Sequence, residues 1–439
     1  MMQARVALPL IVLWFVTQGP TPKGSTANVL FSKPFVTVWN APTQRCKTKF
    51  DVDLDLSVFD IIANQNEEFR GQNVTIFYSG LLGYYPHYED QTTDINGGIP
   101  QNASLKAHLA KAAKDIVKYI PREDFSGLAI IDWEQWKPVW ERNWDSKDIY
   151  RQKSEELVRQ KHPEWSKSKI TKEAKIEFEQ AAQAFMLQTQ MLGQKLRPGG
   201  LWGFYSFPGC YNYDKHFINY TGKCPDIEIS RNNELKWLWK SSTALYPSIY
   251  LPEKLKSSKN VQKYVHHRVK EALRVANISY GNHLPVLPYA RIVYTFTIDF
   301  LTQEDLIHTI GESAALGAAG VVLWGDAHYS ASKKSCLAIK IYIEEYLGRY
   351  IVNVTSSAML CSQVLCSKHG RCIRRNHNSS AYLHLNPNSF TIFHRNDGKK
   401  PGFYTHGSLS KDDIMNMTKQ FKCYCYNGWQ GSHCNKTLV

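Results

Sequence analysis

Short apolar runs alternate with amphipathic segments between residues 35 and 347, and nothing else in the chain limits its fold so strongly. The runs at 35–39, 74–78, 128–133, 201–207, 244–250, 286–293 and 320–324, with a weaker one near 58–62, are rich in Val, Ile, Tyr, Phe and Trp. Near-continuous apolarity of this kind suits strands buried on both faces. Helical stripes lie between them at 104–120, 171–196, 232–240, 263–276, 303–316 and 334–347; each stripe is read as the core-facing side of its helix. Strand–helix alternation calls for a parallel sheet covered by helices, and seven or eight such units close into a (β/α) barrel with its site at the C-terminal strand ends. An open doubly wound sheet is the alternative, although no GxGxxG fingerprint follows the first strand.

The two ends of the chain differ from this middle. Arg5 precedes an apolar run from Val6 to Val16 and then small and polar residues. This has the length of a signal-peptide core, too short to span a membrane, so residues 1–27 read as a cleaved leader. No second long apolar stretch appears and the chain ends in CNKTLV, so neither a membrane span nor a lipid anchor is expected. Ten cysteines fit an exported chain with five disulfides. Four are scattered and six crowd the last quarter, from CSQVLCSKHGRC to CYCYNGWQGSHC, which reads as a small stapled unit interrupted by a long loop at 374–420. The expected division is therefore a catalytic barrel at 28–356 and a disulfide-rich unit at 357–439. A zinc site is the competing reading of clustered cysteines, set aside because paired CxxC spacing is missing. Asn73, Asn102, Asn219, Asn277, Asn353, Asn378, Asn416 and Asn435 are glycosylation acceptors.

Charge narrows the partners. Lys and Arg total 53 against 39 Asp and Glu, a net +14, which favours polyanions. The positive charge is diffuse and no recognition motif appears, so nucleic acid is not expected.

The segment carrying chemistry is SGLAIIDWEQWKPVW at 126–140. An apolar strand runs into Asp132-Trp133-Glu134, and residues two apart on a strand point the same way. Two crowded carboxyls cannot both ionise comfortably, so one holds its proton near neutral pH, as protonating a leaving oxygen requires. Conventional glycosidase pairs flank the scissile bond from opposite sides. Here both acids sit on one side, with Asp132 badly placed to attack the far face. A nucleophile supplied by the substrate, such as an acetamido carbonyl, resolves this, with Asp132 orienting it and Glu134 as the acid. Trp133, Trp136, Trp140 and Trp144 are candidate rings for holding sugar faces. The bland alternative is that Asp-x-Glu merely caps a strand.

FSGLAIIDWEQWKPVW, with PFVTVWNAPTQRC, GQNVTIFY, GLWGFYSFPGCYNYD, ALYPSIY, VHHRVKEALRVA, GESAALGAAGVVLWG and IVNVTSSAMLCSQVLCSKHGRC, resembles the vertebrate hyaluronidase family, glycoside hydrolases that cut hyaluronan. The likeness runs from about Pro34 to Cys434. It implies Glu134 as general acid/base, Asp132 as its partner, and Tyr205 and Tyr250 around the acetamido group and the reacting ring. Tyr78, Ser248, Arg268 and Trp324 match groove positions, and Asn353 a glycosylated asparagine. Read from their surroundings alone, Tyr78 and Trp324 fit a core equally well. Arg268 reads as either a solvated residue or a buried one facing the carboxylates and holding Asp132 ionised. The resemblance further implies the pairs Cys46–Cys336, Cys210–Cys224, Cys361–Cys372, Cys366–Cys423 and Cys425–Cys434, a distorted TIM-like barrel and an end module like epidermal growth factor. Two positions depart from the family pattern. Gly209 stands where Asp is usual, which puts polymer preference and pH range in doubt, and Lys137 stands where Arg is common.

The expectation is a secreted, monomeric endo-β-N-acetylhexosaminidase, or a lysosomal one, that hydrolyses β-1,4 linkages of hyaluronan with retention, without metal or organic cofactor. A chondroitin-preferring hydrolase and a non-catalytic hyaluronan-binding adhesion protein are the alternatives.

Overall fold

Strands that are apolar on both faces have to lie between two apolar layers, and the parallel strands here separate an inner core from a coat of helices. The computed structural model describes residues 33–213, 219–278, 284–395 and 402–438; the expected leader at 1–27 lies outside them. One arc runs Ile61–Ile62, Val36–Asn40, Gly320–Trp324, Tyr289–Ala290; the other runs Val74–Tyr78, Leu128–Asp132, Leu201–Phe204, with every pairing parallel. Single bridges through 244–250 join the arcs: Tyr205 with Tyr246, Leu245 with Val286, and Ser248 with Tyr289. The expected strands at 244–250 and 286–293 are thus mostly bridges. Pro247, Pro285 and Pro288 have no N–H to give a ladder. The strand expected to reach residue 207 stops at Phe204, where Ser206 takes φ +63° ahead of Pro208.

Alternation along the strands sorts their side chains. Val36, Val38, Val74, Ile76, Leu128 and Ile130 face one inner cluster with Tyr246, Tyr289 and Val322. The intervening Phe77, Ala129, Ile131, Trp202 and Phe204 pack against helices. Each fully buried side chain of this size contributes about 1.5–3 kcal/mol. The next inward positions after these core residues are Asn40, Tyr78, Asp132, Tyr205 and Trp324. The period that builds the core therefore also aims the strand-end side chains over it.

The coat begins with Leu105–Tyr119, whose Ser104 side chain accepts from the Ala107 N–H, and continues through Lys167–Leu196, capped likewise by Ser166. The latter helix presses Gly193 onto Trp202, where a Cβ would stand 2.6 Å from the indole. A further helix, Asp148–Lys161, was not expected; it buries only Tyr150, Ser154 and Val158, too narrow a stripe to stand out among its charges. The segment expected as one helix at 232–240 is two, Asp226–Glu234 and Lys236–Ser241. Those expected at 303–316 and 334–347 contain π-turns at Ile307–Gly311 and Ile343–Leu347. The composition change near Ser357 is no break in the chain. The helix Gly348–Leu365, without an internal Gly or Pro to stop it, crosses that point.

Beyond that helix, Gly370–Arg374 pairs antiparallel with Phe421–Cys425. The intervening segment is not a bare loop as expected. It folds a hairpin, Phe390–Arg395 with Gly402–Gly407, and a helix, Lys411–Gln420, started by a reciprocal Ser410–Asp413 cap. Disulfides join Cys46–Cys336, Cys210–Cys224, Cys361–Cys372, Cys366–Cys423 and Cys425–Cys434. Arg374 from this end reaches inward to Glu312, both completely buried, with Nη2 2.5 Å and Nη1 3.0 Å from the two carboxylate oxygens. His266 Nδ1 is 2.7 Å from the same carboxylate.

Candidate active site

The site starts where the strand Leu128–Asp132 runs out. Trp133 is drawn to the helix side, stacked on Tyr85 at 4.5 Å and edge-on to Phe204 at 5.8 Å. With Trp133 anchored there, Asp132 stays inward and half-buried. Glu134 is exposed, and it lines a cavity of about 370 Å³ with Lys137, Lys147, Ser248, Arg268 and Gly209.

The two carboxyls sit in unlike surroundings. Burial, then the charge of Glu134, pushes the Asp132 carboxyl up to about 7, against a smaller pull from Lys137. Its Oδ1 is buried without a hydrogen-bond partner. Arg268 does not hold Asp132 ionised, which corrects one of the two expectations for it. It is buried, so it is not a solvated residue either, and its guanidinium donates to Asn212 Oδ1 and to the Ser248 carbonyl, both at 2.8 Å, between the rings of Tyr213 and Tyr264. Lys137 is the cation that Asp132 and Glu134 sense, with its ammonium 4.8 Å above the Phe207 ring. Lys147 escaped sequence reasoning. It donates to the main-chain oxygens of Glu134 and Gln135, and burial first, then Lys137, draws it down to about 8.

Aromatic rings gather at the neighbouring strand ends. The Tyr205 hydroxyl lies 3.4 Å from Ser248 Oγ, and its ring is 6.0 Å from Tyr250, which stacks with Trp324 at 6.1 Å. Trp324 Nε1 donates to the Tyr78 hydroxyl at 3.4 Å. Tyr78 and Trp324 are both half-buried on the rim of the inner core, so they close that core. The tryptophans behave differently from the expectation. Trp133, Trp136 and Trp140 are 3%, 2% and 6% exposed and belong to the helix-side core, leaving only Trp144 of the four open to solvent. They follow a strand end and were read for type; their burial comes from Tyr85 and Phe178, which local sequence does not reveal.

Asn40 and Tyr289 were also missed. Strand parity was the available signal, since Asn40 continues Val36 and Val38 inward and Tyr289 continues Leu287. Gly209 sits in the cavity wall, where a Cβ would lie 3.1 Å from the Tyr211 ring. Seven of the eight glycosylation acceptors are exposed; Asn353 is half-buried, its Oδ1 accepting from the Leu385 N–H at 2.6 Å. Among the described residues, no group of three or more His, Cys, Asp or Glu side chains is placed to hold a metal ion.

Such an arrangement joins a proton-holding, half-buried carboxyl to an exposed one that lines a cavity, both at one strand end. It can donate and recover a proton there, and among the described residues lining the cavity Glu134 is the one carboxylate.

Comparison with known proteins points to one family. A family model described as hyaluronidase matches residues 25–438. Hyaluronidase-1 of Homo sapiens is 51% identical over 429 residues, 98% of each chain. Hyaluronidase-1 of Mus musculus is 51% identical over 409 residues, 93% of this chain and 88% of that one. The hyaluronidase of Crotalus adamanteus is 48% identical over 411 residues, 93% and 92%. Among solved structures, bee venom hyaluronidase in complex with a hyaluronic acid tetramer superposes with a TM-score of 0.67 at 33% identity, covering 72% of this chain and 98% of that one.

Proposed function

The chain belongs to the hyaluronidase family and is a glycoside hydrolase acting on hyaluronan; we propose that it does so by retention, with the substrate's own acetamido oxygen as nucleophile. One observation supports the mechanism: Asp132 and Glu134 flank an anchored Trp133 at a single strand end, with Glu134 lining the cavity. The pair holds one proton between them up to about pH 7, and the proton rests on the buried Asp132 while the site is empty. An acetamido N–H arriving at Asp132 favours its ionised form, and the proton passes to Glu134. Glu134 then protonates the glycosidic oxygen as the acetamido carbonyl attacks the anomeric carbon from the far face. Ionised Asp132 balances the charge on the cyclic intermediate, with Tyr205 and Tyr250 fixing the ring. Water opens that intermediate with Glu134 as base.

Around this centre we read the two arcs and their bridges as a distorted (β/α) barrel, residues 28–356, and the stapled end as a module like epidermal growth factor. The inner cluster, drawn from both arcs, supports the first, and the three disulfides within that end support the second. With the other two they also support export to an oxidising compartment, extracellular or lysosomal; the exposed acceptor asparagines support glycosylation, and we read the chain as a monomer. Among the described residues no helix is long and apolar enough to cross a membrane. Tyr78, Ser248, Arg268 and Trp324 line the groove in this reading.

The Glu134→Gln variant tests it. The protein should fold and lose about 10³-fold or more of its hyaluronan depolymerisation; a near-normal rate removes Glu134 from the role. Chondroitin preference is the second reading, favoured by Gly209, which leaves Lys137, Lys147 and Arg268 facing Glu134 alone across the cavity. Initial rates on the two polymers separate the readings. Retention on immobilised hyaluronan without cleavage would instead mark a binding protein.

A further inference from the structure

Below the carboxylate pair lies a polar layer that the reaction as described leaves unused. Asn40 is completely buried, and neither its Oδ1 nor its Nδ2 has a hydrogen-bond partner. Tyr289 is 1% exposed and its hydroxyl is unpartnered, as is Asp132 Oδ1. Buried polar atoms are almost always paired, so three orphans in one layer of a closed core call for a reason. Register brings them together. Tyr289 pairs with Val322 in the strand ladder and bridges to Ser248, its ring meets Tyr205 edge-on at 5.2 Å, and its hydroxyl faces Asn40 and lies within electrostatic range of Asp132.

We propose that Tyr289, backed by Asn40, is a positioning residue whose hydroxyl turns to match the charge of Asp132. While Asp132 holds the proton, its O–H donates to the Tyr289 oxygen and the Tyr289 O–H donates to Asn40 Oδ1. When the proton passes to Glu134, the phenol rotates and donates to the Asp132 carboxylate, and Asn40 Nδ2 donates to the phenol oxygen. No proton leaves the tyrosine, and in each arrangement the phenol and the facing Asp132 oxygen are both paired, with one end of the Asn40 amide engaged. A hydroxyl and an amide can do this because each both gives and accepts. Burial keeps the phenol neutral throughout.

The other groups facing Asp132 are engaged or charged. Glu134 and Lys137 come from its own segment; the Tyr78 hydroxyl accepts from Trp324, and those of Tyr205 and Tyr250 contact Ser248 and each other. Tyr289 is left as the group able to follow the proton.

This inference rests on the carboxylate-pair reading above. In Tyr289→Phe the ring remains and the ionised Asp132 loses its donor, so the pair holds its proton harder. The alkaline limb of kcat on hyaluronan should move to higher pH by about one to two units, with kcat down about tenfold or more at neutral pH. KM should stay within about twofold, since the phenol touches no substrate. Asn40→Ala should move the limb the same way by less, and it carries the test if Tyr289→Phe fails to fold. A carboxyl ¹³C titration of Asp132 reads the same shift without turnover. An unmoved limb and an unmoved titration in a folded variant overturn the proposal, whatever kcat does. An active Glu134→Gln would sink the carboxylate pair itself, a distinguishable result.

Discussion

Tyr78 and Asp132 are register partners at the ends of adjacent parallel strands. The carboxyl therefore meets an aromatic neighbour at its own level rather than a cation. Burial pushes the Tyr78 hydroxyl up to about 12, so it stays neutral and offers Asp132 no positive charge. With Arg268 turned to Ser248 and Asn212, the weight of keeping Asp132 ionised falls on Lys137 alone, and burial outweighs it.

A pH limit follows. Asp132 holds its proton up to about 7, so above that value the pair has no proton left to give. Plotted against pH on hyaluronan, kcat/KM, which reports the empty site, should fall about tenfold per unit on the alkaline side, bending near pH 7. A rate that is flat to pH 9 would rule out the shared proton.

Stability should move with the same group. Its folded value, about 7, lies above its ordinary 3.8, so folding takes up a proton between those pH values. The resulting cost to the native state is absent below 3.8, grows as pH rises through the window, and is complete above 7. Asp132→Asn should accordingly stabilise the inactive protein by on the order of 2–4 kcal/mol at pH 8 and hardly at all at pH 4. Denaturant melts at the two pH values read this directly.

The end unit is tied to the catalytic body through Arg374 and Glu312, both fully buried. Arg374→Met strands a buried carboxylate left with His266 and the Tyr382 hydroxyl but no arginine, and should cost about 3–5 kcal/mol. Adding Glu312→Gln should recover part of that loss. If the two changes simply add in a denaturation cycle, the pair is not coupled.

Gly209→Asp places a carboxylate in the cavity wall beside Glu134, with the Tyr211 ring giving way by a few tenths of an ångström. It should weaken binding of a polyanion, raising KM about two- to fivefold at low salt, and the difference should shrink as salt is added. An unchanged KM at both salts would show that the cavity does not meet the polymer's charge.

Much of this site was legible before any coordinates. Apolar parity along 128–131 put Asp132 inward, and the same count on neighbouring strands gives Tyr78, Tyr205 and Trp324. Counting one strand further would have found Asn40. Tyr289 was harder, because Pro285 and Pro288 break its strand into bridges and hide the period. The tryptophans after Glu134 were misread because their partners, Tyr85 and Phe178, lie far away in sequence. Arg268 was read as either a solvated residue or a buried one facing the carboxylates; it is buried and lines the cavity with Glu134, while its bonds go to Asn212 and Ser248 on other segments, which its own helix cannot show. The end unit's hairpin and helix, by contrast, carried a visible Ser410–Asp413 start signal that a loop reading passed over.

The claim beneath all of this is that the sugar supplies the attacking oxygen. Hyaluronan stripped of its acetyl groups, alongside the same polymer re-acetylated, measures that claim most directly when both are given to the wild-type enzyme and chain length is followed. The account predicts no cleavage of the stripped polymer and restored cleavage after re-acetylation. Equal cleavage of the two would contradict it, since the attacking group would then have to come from the protein.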